Sequence, residues 1–431
     1  MSNSLTRIKD FFGRQTANFK VLLVTAISNT SAKSLTAGQA AQTGGGATSG
    51  ASYLQLYLRA LGADPQQLGF LNSLTQLANA LFGLPIGWIS DKFSLKKVVV
   101  AGLILAVFVP IIFAVSPTWT FAMPAMMLNA VASTLVGMFL NIFFITSIRH
   151  SSDRAKAMSM KSILIAVVGL IVPSISALIV LNFGGIGVDG IRPLFIIDIV
   201  ASILILFFAA LKLKEVAFLQ KKGAEQGDRS FLKNYVEIAK IPSVQKWTIT
   251  KCLRTFFGNG LLPFYSIFYV TVKGANEITI AAMGTIATLG AIIFLIPFGR
   301  LADKYGRKKI IYLTRPFNYL SVIIVILAPS PEYLILAAFL GALNTVSFLM
   351  EITMEHELVP EHQRGRLGGF LSFFMGLTGI PGSILAGYLW GFVNPGYLLL
   401  IPILADLPFM AMLSTISDTL HIDYTEKPSP S

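Results

Sequence analysis

The sequence predicts an all-α membrane protein with twelve transmembrane helices arranged in two pseudo-symmetric six-helix halves. The first observation is composition: 54% of the 431 residues are hydrophobic and only 13% are charged, whereas a soluble domain carries roughly 25% charged residues. The second is a series of long apolar runs along the whole chain. The third is internal repetition, because 87–97 resembles 299–309 and 53–64 resembles 265–276 in the same order.

Each apolar run is long enough to cross a bilayer, which takes about 20 mostly apolar residues. The runs are continuous, whereas strands of a membrane barrel alternate at every second residue, so helices are expected. The predicted spans are 19–58, 66–88, 97–115, 118–148, 156–182, 191–213, 246–272, 277–302, 308–328, 331–355, 366–391 and 395–417.

The longest polar segment, 212–245, predicts a linker between the two halves. The first half then covers 1–211, the second covers 246–417, and 418–431 forms a tail. Most lysines and arginines lie in the N-terminal region, the even-numbered connections and the tail. The positive-inside rule therefore predicts a multi-pass protein of the cell membrane with both termini in the cytoplasm.

Several classes of function find no support in the composition. The net charge of +13 is spread over short clusters between apolar runs, so nucleic acid is not an expected partner. None of the four histidines lies at metal-ligand spacing from a carboxylate or from the single cysteine, Cys252. No phosphate-binding loop or nucleophile motif is present. We expect neither an enzyme nor a bound metal or cofactor.

The repeated polar motif after the second and eighth spans suggests a gate. Its copies read GWISDKFSLKK and GRLADKYGRKK. Gly87 and Gly299 would let a neighbouring helix approach closely. Asp91 and Asp303 would lie at the membrane edge, where a carboxylate suits the N-terminus of a helix. The basic residues, including Arg307, either share in gating or only anchor the topology against anionic lipid.

Twelve spans, two halves and this motif after spans two and eight resemble the major facilitator superfamily of secondary transporters, over nearly the whole chain. The second copy carries the motif in full, whereas the first has Ser94 and Leu95 in place of glycine and arginine. The resemblance implies that Asp91 faces the eleventh span and Asp303 the fifth, so that the motifs hold the cytoplasmic ends of the halves together. It also implies a cavity lined mainly by spans one, four, seven and ten.

A second gate could join the fourth and tenth spans. Arg149 ends the fourth span, and Glu351 and Glu355 lie near the end of the tenth, at the same predicted face of the membrane. The alternative is that these are ordinary solvated helix ends. Arg154 and Arg364 lie just before the fifth and eleventh spans, within matching stretches of the two halves, and we add them to the gating candidates.

Polar residues inside the spans are the candidates for substrate binding, because they are rare in membrane helices and usually face the protein interior. Lys33 lies near the middle of the first span. It could attract an anionic substrate or couple to a proton, or it could be paired and purely structural. Asn129 and Asn344 occupy similar places in spans four and ten, either as substrate ligands or as interhelical contacts. Weaker candidates are Gln76, Asn259 and Tyr265. Asp198 and Asp406 lie in peripheral spans and are expected to have structural partners.

The first span is too long for one uninterrupted helix across about 30 Å of hydrocarbon. Its small and polar residues predict a break around 43–50. Such a break could line the pathway, or it could form an extracellular loop.

The segment GLIVPSISA in the fifth span resembles the Gly/Pro-rich antiporter signature of the efflux branch. The leading hypothesis is therefore a monomeric secondary transporter that works by alternating access and exports small organic or amphipathic compounds. Its partners would be a small-molecule substrate and the lipid bilayer, with a coupling proton or ion left open. The alternatives are uptake or uniport of a small anionic or sugar-like metabolite, and a non-transporting membrane sensor or partner subunit.

Overall fold

The computed structural model describes residues 11–37, 50–148, 153–215, 231–360 and 363–416. Every regular element in these ranges is a helix, which confirms the predicted all-α class. The first half contains α1 (Ala17–Ala37), α2 (Tyr53–Ala60), α3 (Pro65–Lys92), α4 (Leu95–Val115), α5 (Met123–Thr146), α6 (Arg154–Asn182) and α7 (Val188–Lys212).

The second half begins after a short helix, α8 (Phe231–Ala239), in the predicted linker. It contains α9 (Pro242–Phe257), α10 (Leu262–Ile267), α11 (Glu277–Tyr305), α12 (Arg307–Leu327), α13 (Tyr333–Gly341), α14 (Leu343–Glu357), α15 (Arg364–Trp390), α16 (Pro395–Leu398) and α17 (Ile401–Ser414). We call the end of the bundle that carries the start of α1 and the end of α17 the proximal end, and the opposite end the distal end.

Nine helical stretches within the described ranges are long and apolar enough to cross a bilayer. They correspond to predicted spans three to six and eight to twelve. The seventh span is divided at Gly258 and continues through a 3₁₀ turn, α10 and a π-helical turn. The second span, α3, forms a continuous helix of 28 residues, but polar side chains in its middle lower its mean hydropathy. The first is divided between α1 and α2, and the predicted break at 43–50 falls, except for Gly50, outside the described residues.

The two halves meet through two helix pairs, α3 with α15 and α6 with α11. These are spans two and eleven, and spans five and eight. Exchange of the halves converts one pair into the other, which is the relation expected of a duplicated unit. The packing agrees with the predicted architecture of two six-helix halves.

Small residues allow α3 and α15 to approach closely. A Cβ atom on Gly376 would lie 2.5 Å from the backbone nitrogen of Ala80, and one on Gly387 would lie 2.9 Å from the Cα atom of Gly69. Because lipid supplies no hydrophobic drive for helix association, such close backbone packing is a main source of stability between membrane helices.

The two copies of the polar motif turn the chain by different means. In the second copy Gly306 has φ +99° and separates α11 from α12, a conformation that glycine adopts without steric cost. In the first copy Ser94 has φ −64°, and its side chain accepts a hydrogen bond from Lys97 N at the start of α4. Serine at a helix N-cap therefore replaces the glycine turn.

Candidate functional site

A cavity of about 440 Å³ lies inside the first half, among α1, α4, α5, α6 and α7. Its wall includes apolar residues of α4, such as Phe113, and a set of charged and amide side chains. The polar set comprises Lys33, Lys161, Asp198, Asn29, Asn129 and Asn141. Charged groups are costly within a membrane, so their convergence on one cavity marks it as the candidate site.

Lys33 projects from α1 and donates a hydrogen bond of 2.8 Å from Nζ to Ser133 Oγ on α5. Ser133 in turn donates to Asn129 Oδ1 at 3.3 Å. Ser133 and Asn129 are one helical turn apart on α5, so both side chains lie on the same face of that helix. The structure thus brings together two of the substrate-binding candidates, Lys33 and Asn129.

Asp198 lies on α7 in the same cavity wall, only 8% exposed. Ser202, one turn further along, donates a hydrogen bond of 3.0 Å to Asp198 Oδ1. The carboxylate thus shares one cavity with the ammonium group of Lys33. The sequence had suggested a structural partner away from the pathway. Its isolated position in an apolar span is the signal that could have identified it as a site residue.

Lys161 is a second cation in the cavity that sequence reasoning did not single out. It lies near the start of α6, where its Nζ donates to Asn141 Oδ1 on α5 and lies 5.2 Å from the centre of the Phe144 ring. A lysine two turns into an apolar helix is the signal that could have identified it.

The other substrate-binding candidates lie outside this cavity. Gln76 packs against Gly379 between α3 and α15. Asn259 lies in the break of the seventh span, and its carbonyl accepts from Asn72 Nδ2 at 3.4 Å. Tyr265 is buried and donates to Leu399 O at 3.3 Å. Asn344 Oδ1 accepts from Arg315 Nη1 at 3.2 Å.

The second half contains a largely buried ionic cluster. Glu351 is 1% exposed and pairs with Arg315, with Arg254 at 2.8 Å and with Lys251 at 3.3 Å. Asp406 pairs with Arg254 at 3.0 Å and accepts a hydrogen bond of 2.6 Å from Tyr319. Glu355 pairs with Lys251 at 3.4 Å and accepts from Trp247 Nε1 at 3.0 Å. The three cations and three carboxylates balance each other.

This cluster bears on the gate that was predicted between spans four and ten. Glu351 and Glu355 lie on α14, and the ion-pair partners described above lie on α9 and α12, all within the second half. Their proposed partner Arg149 lies outside the described residues. Arg364, also a gating candidate, donates from Nε to His356 O at 3.0 Å.

The motif after the eighth span is described in full. Arg307 pairs with Glu357 at the end of α14, within the same half. Asp303 is exposed near the end of α11. Beyond the local backbone of α11, no described atom lies within 4 Å of the position where Gly299 would carry a Cβ. A close approach of another helix at Gly299 therefore stays a prediction, and the tight glycine contact described between α11 and α6 lies nearer the distal end, between Gly284 and Pro173.

The first copy of the motif, at 87–97, is described only in part. The side-chain surroundings of Gly87, Asp91 and Arg154 fall outside the described part of the structure. Their gating roles stay predictions.

Hydrogen bonds join the two halves near the distal end. Ser52 N donates to Ser266 Oγ at 2.8 Å, which links the first span to the seventh. Ile186 N, after α6, donates to Glu277 Oε1 at 2.9 Å, in the first turn of α11. Asn72 Nδ2 donates to Ser383 Oγ at 2.9 Å across α3 and α15. These bonds hold the distal ends of the halves together in this structure.

Comparison with known proteins agrees with this architecture. The chain is 31% identical over 160 residues to the sialic acid transporter NanX of Escherichia coli (strain K12). This aligned region covers 36% of this chain and 37% of the relative. The matches of comparable identity to two transporters of Buchnera aphidicola likewise span only about a third of each relative's length. An uncharacterised MFS-type transporter of Methanocaldococcus jannaschii is 22% identical over 359 residues, covering 79% of this chain and 86% of the relative.

Among solved structures, the nucleoside transporter NupG has a TM-score of 0.67 at 15% identity, covering 92% of this chain and 99% of that one. At that identity the likeness shows the fold alone. The family model of the Major Facilitator Superfamily matches residues 35–383 and, in an overlapping second match, 255–421. With that match over most of the sequence, and with two helical halves that meet through equivalent helix pairs, the chain belongs to the Major Facilitator Superfamily.

Proposed function

We propose that this protein is a secondary transporter that moves a small polar organic solute across the cell membrane by alternating access. The observation that carries the proposal is the polar cavity within a membrane-embedded bundle, lined by Lys33, Lys161 and Asp198. In transporters of this architecture, rocking of one half against the other exposes a central site to each side in turn. Both termini would lie in the cytoplasm, so the proximal end would be the cytoplasmic one.

The chemistry of the cavity favours a polar solute over the amphipathic compounds suggested by the sequence. Two ammonium groups, one carboxylate and several side-chain amides line it. Such groups lose their hydration when an apolar solute displaces water, and each buried polar group without a partner costs free energy. A solute with hydroxyl, amide or carboxylate groups replaces the lost hydrogen bonds. The relative named as a sialic acid transporter supports the same class.

Export by antiport is the second candidate. The segment that resembles the antiporter signature lies in α6, where Pro173 packs against Gly284 of α11 at the interface of the halves. This placement would let the signature influence how the halves move.

Both candidates are tested by counterflow in proteoliposomes containing the purified protein. The panel contains gluconate, glucuronate, sialic acid, sorbitol, xylose and uridine, together with a lipophilic cation as the amphipathic probe. We expect exchange of at least one polar solute and no exchange of the lipophilic cation. The same assay with a pH gradient of either sign shows whether a proton is coupled and in which direction. Exchange of the lipophilic cation alone would favour export, and no exchange of any solute would overturn the proposed transport.

A further inference from the structure

We propose that the cavity binds an organic monocarboxylate, that Lys33 holds the carboxylate group, that Lys161 attracts it on entry, and that Asp198 balances Lys33 while the cavity is empty. This proposal rests on the proposed function and specifies its substrate class. It assigns site roles to Asp198 and Lys161, which sequence reasoning had not placed at the site.

The two lysines lie at different depths. Lys161 is about 10 Å from the start of α6 at the proximal end, at 1.5 Å per residue. Lys33 is about 24 Å from the start of α1 at the same end. A small carboxylate cannot span a separation of more than about 10 Å along the bundle. The two ammonium groups therefore act in sequence, Lys161 first from the proximal side and Lys33 at the deeper position.

The charge of the cavity selects a monoanion. Its described lining contains two cations and one carboxylate, which leaves an excess of one positive charge. One bound carboxylate brings the net charge of the cavity to zero. A dianion would make that net charge negative, and a neutral solute would leave it positive. A charge buried in a membrane protein requires an opposite partner. Ser133 and Asn129, next to Lys33, offer hydrogen bonds to hydroxyl or amide groups of the same solute.

Asp198 competes with the solute for Lys33. In the empty cavity its carboxylate lies in the same wall as Lys33 and offsets the charge of that lysine, and Ser202 holds the carboxylate in place. An entering carboxylate must replace this interaction. Removal of the negative charge of Asp198 should therefore strengthen anion binding, whereas removal of the positive charge of Lys33 should weaken it. A residue with only a structural role would not produce this opposite pair of effects.

The first experiment measures binding of gluconate to the purified protein, with sorbitol as a neutral polyol of the same carbon chain. We expect gluconate, and not sorbitol, to bind and to raise the Tm. Lys33→Ala should raise the Kd for gluconate about tenfold or more, as expected for loss of a charge-assisted hydrogen bond. Lys33→Arg should retain part of the affinity. Asp198→Asn should lower the Kd severalfold.

The matched control is Lys20→Ala, which removes the same charge from an exposed position on the same helix; its Kd should equal that of the unchanged protein.

Lys161→Ala should slow gluconate entry in counterflow, with a smaller change in Kd than Lys33→Ala. If a variant does not fold, its Tm without solute reveals this, and Lys33→Arg and Asp198→Asn then test the charge argument.

Outcomes separate this inference from the proposed function. Exchange of sorbitol, xylose or uridine without exchange of gluconate, glucuronate or sialic acid would overturn the monocarboxylate site and leave transport standing. Unchanged gluconate binding in Lys33→Ala, or weaker binding in Asp198→Asn, would overturn the assigned roles. No exchange of any solute would overturn both.

Discussion

At the scale of single residues, Glu351 is the most constrained charge in the described part of the chain. Its carboxylate is almost fully buried and is contacted by Lys251, Arg254 and Arg315. A buried pair contributes little net stability against an apolar replacement, but removal of one partner leaves the others uncompensated. The cluster therefore holds α9, α12 and α14 in one arrangement, because Glu351 on α14 pairs with cations on both α9 and α12.

Glu351→Gln should destabilise the second half strongly. Loss of the buried negative charge beside one buried cation, Arg315, and two partly buried ones should cost about 3–5 kcal/mol, which would appear as a large fall in Tm of the detergent-purified protein. Glu332→Gln is the matched control, because Glu332 is exposed in the loop before α13, and it should leave the Tm unchanged. Equal Tm values for the two variants would show that the cluster does not stabilise this half.

Asp303→Asn should reduce flux without reducing stability. The carboxylate is exposed near the end of α11, so its loss leaves no buried cation uncompensated. If it contacts the start of a helix in the other half during gating, its removal weakens a helix-dipole interaction of about 0.3–1 kcal/mol. The initial rate of counterflow and the Tm are measured together. Full flux in the variant would assign the motif to topology alone.

At the scale of helices, glycine spacing sets how closely α3 and α15 pack. Gly376 and Gly368 lie on the same helix, but a Cβ at Gly376 would lie 2.5 Å from Ala80 N. Beyond the local backbone of α15, no described atom lies within 4 Å of a Cβ at Gly368. The same substitution at the two positions therefore separates packing from helix propensity.

Gly376→Ala should lower the Tm, because the new methyl group forces α3 and α15 apart. Gly368→Ala should leave the Tm equal or slightly higher, since alanine favours a helix by up to about 1 kcal/mol over glycine. Thermal unfolding of the two purified variants provides the comparison. A Tm for Gly376→Ala that matches that of Gly368→Ala would contradict the close packing of this interface.

The helices themselves could be predicted from the sequence, because a backbone in lipid must satisfy its own hydrogen bonds and apolar runs of sufficient length become helices. Partner choice could not be predicted. Whether Glu351 faces Arg149 of the other half or Arg315 of its own depends on the rotation of α14 about its axis, which hydropathy does not encode. For the same reason Asp198 was assigned to the periphery, although on α7 it lines the same cavity as Lys33.

The break in the seventh span was hidden for a different reason. The run 246–272 is apolar enough to be read as one helix, but Gly258 and Pro263 interrupt regular hydrogen bonding there. A close look at this Gly/Pro pair could have predicted a division, although not its 3₁₀ and π turns.

At the scale of the whole molecule, the two halves are joined by equivalent helix pairs but carry different chemistry. The first half encloses a polar cavity with one excess positive charge, and the second half encloses a charge-balanced ionic cluster. We interpret the first half as the solute-binding unit and the second as a rigid counterpart against which it moves. Transport then requires the distal contacts between the halves to break and form again.

The most direct test of this account fixes those distal contacts. Cysteines replace Ser52 and Ser266, whose hydrogen bond joins the halves, in a background where the only native cysteine, Cys252, is changed to alanine. Cross-linking by an oxidant or a short thiol-reactive linker should abolish counterflow of the transported solute. Reduction, or cleavage of a reducible linker, should restore it, and single-cysteine variants should be insensitive. Full counterflow in the cross-linked protein would contradict alternating access by movement of the two halves.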